Sequence, residues 1–149
     1  MSANTRDVLI CAAALLEQGR IVDRLSRLLT AAALVSLAVL WFFRIEASVE
    51  ILGFATLVAL AGLAETCLAI RVGFDAALFD HQARAAETPD FTRMDAALVE
   101  LGLLPAAKTG RPVSARVAGA RRLFVLQIIA LIAQVGLAVA GGWLRLPAR

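Results

Sequence analysis

Three long apolar stretches, packed into 149 residues, constrain this chain more than any other feature. Crossing a hydrocarbon core about 30 Å thick takes roughly 20 predominantly apolar residues in a helix. Residues 28–43 (LLTAAALVSLAVLWFF) carry no charge, and Leu25 and Ile45 can lengthen the run. Residues 49–70 are interrupted by Glu50 and Glu65, and residues 123–143 by Gln127 and Gln134. In lipid only a helix satisfies the backbone at these lengths, so all three are expected to be helical. A soluble bundle would need polar sequence to cover them, and the chain has little. Hydrophobic residues make up 60% and charged ones 18%, with a mean hydropathy of +0.80. Soluble domains lie near 45–50% and 25%. The same balance excludes a disordered tail. Two cysteines are too few for a disulfide scaffold, and a net charge of +3 is too small for a basic DNA-binding surface.

The expected fold is therefore one all-α integral membrane domain over residues 1–149. Residues 1–27 form an amphipathic cytoplasmic N-terminus, 28–45 the first span, and 48–70 the second, continuing as a stalk to about Ala86. Residues 71–122 form a cytoplasmic helical segment with a basic loop at 105–122, residues 123–143 the third span, and 144–149 an outer tail. Cations set the orientation. With the N-terminus and the long connection inside, twelve of the fifteen Lys and Arg residues are cytoplasmic and three are outside. Trp41 and Trp143 then fall at the outer ends of their helices, where amphipathic rings anchor at the headgroups. Fourteen of the fifteen cations are Arg and Ala is abundant, a bias that points to a bacterial inner membrane. A cleavable signal peptide is not expected, because the run 8–16 is short and Glu17 follows at once. A lipoprotein is not expected either, since Ile10 precedes Cys11 where a small residue belongs.

Between the spans the pattern is helical. Residues 5–18 read as a short helix capped by Ser2, Asn4 or Thr5, too short to cross and suited to the interface or to packing on the bundle. Gly19 should break it before Ile21, Val22, Leu25, Leu28 and Leu29 resume at helical spacing. Ser48 is a candidate N-cap, with Glu50 in the first turn facing the positive end of the helix dipole. Beyond Ile70 the i,i+4 pairs Arg71/Asp75 and Asp80/Arg84 extend the helix until Pro89 ends it. A new helix starts at Asp90 or Thr92, with Asp95 completing a weak capping box, and stops at Gly102. Its apolar stripe Phe91, Met94, Leu98 and Leu101 is expected to dock a protein partner or to fold back on the N-terminal helix. Residues 72–104 carry a net charge of −4, whereas residues 105–122 hold five cations and no acid. Those five, Lys108, Arg111, Arg116, Arg121 and Arg122, are expected to enforce topology and attract anionic lipid headgroups. Ser114 caps the helix that becomes the third span. Nucleic acid is not an expected partner, because no aromatic residue is interleaved for stacking.

Glu65 is the strongest candidate for chemistry, since a carboxylate inside a span must be paired, protonated or wet. It shares a small-residue face with Gly53, Ala61 and Ala69. Gln127 and Gln134 lie seven apart on one face of the third span with Ala130, Ala138 and Gly142. The two faces are expected to meet, within one chain or between subunits, as polar glue. His81 is the sole histidine, and Cys11 and Cys67 lack partners at metal-ligand spacing, so neither a metal nor a cofactor is expected. No nucleophile elbow, phosphate loop or dinucleotide fingerprint occurs. The favoured reading is a non-enzymatic inner-membrane accessory or scaffold protein whose cytoplasmic helical segment docks a partner. The rival is a homo-oligomeric small transporter or holin-like pore with Glu65 and Gln134 in a polar path.

Overall fold

A computed structural model describes residues 4–44, 46, 48–85 and 91–143. Five α-helices and one short 3-10 turn follow in order: α1 (Thr5–Glu17), α2 (Gly19–Phe42), α3 (Val49–Arg84), α4 (Phe91–Glu100), the turn Ala106–Lys108, and α5 (Val113–Trp143). No strand occurs among the described residues. Three helical runs, Thr5–Phe42, Val49–Arg84 and Val113–Trp143, are long and apolar enough to cross a membrane. The expected stop at Pro89, the start at Asp90, the cap at Ser2, the extension by Ile45 and the tail 144–149 lie outside the described residues.

Helix α3 continues past Ile70 without interruption to Arg84. At 1.5 Å per residue its 36 residues span about 54 Å, far more than a bilayer core requires. The excess is covered by α1, which packs on the C-terminal half of α3 and on the start of α5. Leu9, Ala12, Ala13 and Leu16 of α1 meet Val72, Ala76, Phe79 and Ala83 of α3 and Ala120 and Phe124 of α5 in one apolar core. The α3 residues step by four, three and four, the seam of a helix buried along one stripe. We call this end of the molecule the headpiece.

Three local expectations change. The break in the N-terminal helix falls at Gln18, one residue before Gly19, which opens α2. The junction is a single residue, Gln18, still near helical dihedrals (φ −61°, ψ −21°). Ser114 does not cap α5, which already begins at Val113, and the Pro112 carbonyl accepts from Ala115 and Arg116 instead. The basic stretch 105–122 is therefore loop only as far as Pro112, and Arg116, Arg121 and Arg122 ride on a helix. The caps at Asn4 and Ser48 are present, each accepting a backbone N–H. Gly102 ends α4 with φ +70°, the left-handed conformation that admits the Leu103→Leu98 (2.8 Å) and Gly102→Val99 (2.9 Å) closing bonds.

The face that α3 buries runs through Val58, Gly62, Glu65 and Val72 rather than through Gly53, Ala61 and Ala69. Gly62 is where the helices come closest. A Cβ there would overlap the Thr30 hydroxyl and the Gln134 amide, whereas one at Gly53 meets nothing within 4 Å. On α5 the contact glycine is Gly141, against Phe54, while Gly142 is exposed. Gly62→Ala should therefore lower the thermal midpoint in detergent, by a destabilisation on the order of 1–3 kcal/mol. Gly53→Ala should hold or raise it, since alanine is the better helix former by roughly 0.5–1 kcal/mol.

Candidate functional site

Two polar clusters organise the molecule, one inside the apolar bundle and one in the headpiece. In the first, Glu65, Ser26, Gln127 and Gln134 are all fully buried. The Gln127 amide donates to the Glu65 Oε1 (2.8 Å) and to the Gly19 carbonyl (2.9 Å). One heptad further along, the Gln134 amide donates to the Thr30 hydroxyl (2.9 Å) and the Ser26 and Val58 carbonyls (3.2 and 3.3 Å). Its own oxygen accepts from the Ser26 hydroxyl (2.8 Å). Gly19 with Gln127 and Ser26 with Gln134 each join residues 108 apart, as parallel helices in constant register require. Glu65 and Val58 are seven apart in the opposite sense, as the antiparallel α3 requires. The result is two hydrogen-bonded layers in a three-helix bundle with a seven-residue repeat.

The expected meeting of Glu65 with the glutamine stripe thus occurs inside one chain. Ser26, Thr30, Gly19 and Gly62 complete it, and none of them stands out in the sequence as more than a cap or packing residue. Their signal was the matching heptad: Gly19 to Ser26 repeats the spacing of Gln127 to Gln134. Two atoms of the inner layer, Glu65 Oε2 and Gln127 Oε1, have no hydrogen-bond partner. Both are acceptors, so among the described residues the layer lacks a donor for them.

In the headpiece, Asp95 is buried and its Oδ2 accepts from the Arg116 guanidinium (2.6 Å) and the Gly110 amide (2.8 Å). Arg116 also lies over the Phe91 ring, 4.8 Å from its centroid. This corrects two expectations. Asp95 anchors the loop before α5, and Arg116, with only 12% of its side chain exposed, turns inward instead of reaching for headgroups. Lys108, Arg111, Arg121 and Arg122 remain exposed. Part of the α4 stripe folds back onto the headpiece. Phe91 packs against the headpiece core, the Gln82 amide approaches Met94 Sδ (3.8 Å), and Met94 and Leu98 line a cavity with α3 and α5. Leu101 lies past the last helical turn, which sends it outward at 70% exposure. Trp41 and Trp143 are exposed near the ends of α2 and α5, and the thiols of Cys11 and Cys67 are free. His81 is exposed on α3. Comparison with protein-family models, curated proteins and solved structures finds no match, so the reading of function rests on this geometry.

Burial works against the Asp95 charge, but the bonds from Arg116 and Gly110 and the charge of Arg116 outweigh it and hold the carboxyl below the usual range. A lowered value in the folded state makes this contribution complete above the ordinary carboxylate pKa of about 3.9. It is lost as pH falls through the depressed one. Amide-exchange protection of α4 should therefore drop on acidification below about pH 4. Asp95→Asn should already be loosened at neutral pH and should lack the acid step; equal protection in the two proteins at pH 7 would show that the pair does not hold α4.

Proposed function

We propose that the protein is a non-enzymatic accessory or scaffold protein of a bacterial inner membrane. Parts of α2, α3 and α5 cross the bilayer, and the N-terminus and headpiece lie in the cytoplasm. The cation distribution supports that orientation, and the two exposed tryptophans sit where outer headgroups would meet them.

The observation that carries the reading is where the polarity of the spans goes. Every buried polar side chain in this region bonds to another helix of the same chain, and Glu65 and Gln134 lie on the bundle axis. A pore assembled from several copies needs such residues on a subunit's outer surface or around a lumen. Three packed helices provide neither, so the geometry favours a rigid anchor over a conduit. What an anchor offers a partner is its headpiece: the outer face of α4, with Arg93, Ala97 and Glu100 exposed and ending in Leu101.

Reconstituted protein should leave proton and potassium gradients in liposomes as stable as empty liposomes do; flux that disappears with Glu65→Gln would overturn the scaffold reading. Because glutamine at position 65 offers an acceptor for the Gln127 amide and a donor for its unpaired oxygen, that variant should retain the wild-type thermal midpoint, whereas Glu65→Ala should lower it. Photo-crosslinking from Ala97 in native membranes should yield a discrete adduct that Leu101→Asp abolishes without affecting insertion. A single cysteine at Gly110, in a background lacking Cys11 and Cys67, should react only from the cytosolic side.

A further inference from the structure

A cavity of about 540 Å³ opens between α3, α5 and the α4 loop, at the junction of headpiece and spans. That size lies within the range of small-molecule sites, roughly 300–1,000 Å³. Its wall is apolar at both ends. Cys67 and Ile70 come from the membrane side of α3 and Leu123 from the start of the third span, while Phe74, Leu98 and Leu104 come from the headpiece. From Cys67 to Leu78 the α3 wall runs about 16 Å along the helix axis.

Three cations line the same cavity: Arg71, Lys108 and Arg111. None of them forms an ion pair among the described residues. Arg116 is there too, but Asp95 already engages it. The opposing group is Asp75, whose carboxyl is pushed up by burial and pulled back by the nearby Arg71. The remaining balance is positive, next to a long apolar wall that begins within a proposed span.

We propose that this cavity binds one phospholipid with a net-negative headgroup, taken from the surrounding bilayer. Arg71, Lys108 and Arg111 face the phosphate, and part of one acyl chain lies along Ile70, Phe74 and Leu123. A diffuse basic surface would attract any anionic lipid loosely. A walled site with cations at one place and hydrocarbon at another requires both halves of the same molecule. The inference rests on the membrane reading above, and its test separates the two.

Full-length protein purified in mild detergent is titrated with phosphatidylglycerol, with phosphatidylcholine of identical chains, and with glycerol phosphate, and bound adducts are counted by native mass spectrometry. Phosphatidylglycerol should be retained over phosphatidylcholine, and glycerol phosphate alone should not bind. Lys108→Ala and Arg111→Ala should each weaken phosphatidylglycerol retention roughly fivefold, leaving phosphatidylcholine unchanged. Gly119 lines the cavity, and a Cβ there meets nothing within 4 Å. Gly119→Phe should therefore fill the space without a clash and block both lipids at an unchanged thermal midpoint. Equal retention of the two lipids, binding of glycerol phosphate in place of lipid, or undiminished adducts in Gly119→Phe would overturn the proposal. Resistance of wild-type protein and variants to alkaline carbonate extraction reports separately on the membrane reading.

Discussion

Two glutamine amides, one heptad apart, fix how the three long helices sit against each other. In the proposed membrane placement the reason lies in the solvent. Lipid tails are as apolar as leucine, so between helices in a bilayer the hydrophobic effect supplies no adhesion, and close packing with interhelical hydrogen bonds takes its place. Gln134 shows how much one side chain can join. Its amide group reaches a serine, a threonine and a backbone carbonyl of α3, each of which would otherwise have to be satisfied within its own helix. A single such bond is worth on the order of 0.6–2 kcal/mol, but several on one residue also forbid rotation and sliding. A shift of α5 by one turn would break every one of these bonds.

The adhesion changes character along the bundle. Beyond the layer of Gly19, Glu65 and Gln127, the contacts become an apolar core of leucine, valine, alanine and phenylalanine. That is the arrangement expected where water returns and burial of apolar surface again drives association. α1 is what makes this possible. Without it, Val72, Ala76, Phe79 and Ala83 would be a bare stripe on a helix longer than a bilayer core requires. Arg6 at the start of α1 also donates to the Ala85 carbonyl (2.7 Å), placing a cation at the negative end of the α3 dipole. The stalk and the N-terminal helix are thus one structure, and a rigid headpiece follows from it.

The sequence disclosed this division unevenly. Apolar runs, the caps at Asn4 and Ser48, and the Gly102 stop were legible because each is decided within a few residues of chain. The facing of Glu65 and the glutamines was legible because polar groups in a span must find one another. Ser26 and Thr30 were not. A hydroxyl in a helix can bond its own i−4 carbonyl, as Thr30 does with Ser26, so its presence in a span demands no partner. Only the register of a third helix, 108 residues away, reveals that it has one. The small-residue face was misplaced for a related reason. Gly53 and Gly62 look alike in sequence, and which of them is crowded depends on where Thr30 and Gln134 arrive.

Arg116 shows the same limit in charge. Counted along the chain, it is one of five cations in a stretch without acids, and the acidic segment before it is a separate block. In three dimensions the two blocks touch at a buried ion pair, closed by the Gly110 amide and roofed by Phe91. Such a pair contributes little net stability compared with apolar packing, yet breaking it leaves a buried charge alone, so it specifies an arrangement more than it strengthens one. Here it ties α4 to the first turn of α5 and holds the intervening loop across the face of α3. Removing Arg116 from the membrane-facing count leaves Lys108 and Arg111 on that loop and Arg121 and Arg122 lower on α5. The pair therefore fixes how α4 and its loop sit against α5, and it does so with a residue that composition alone would have assigned to the lipid.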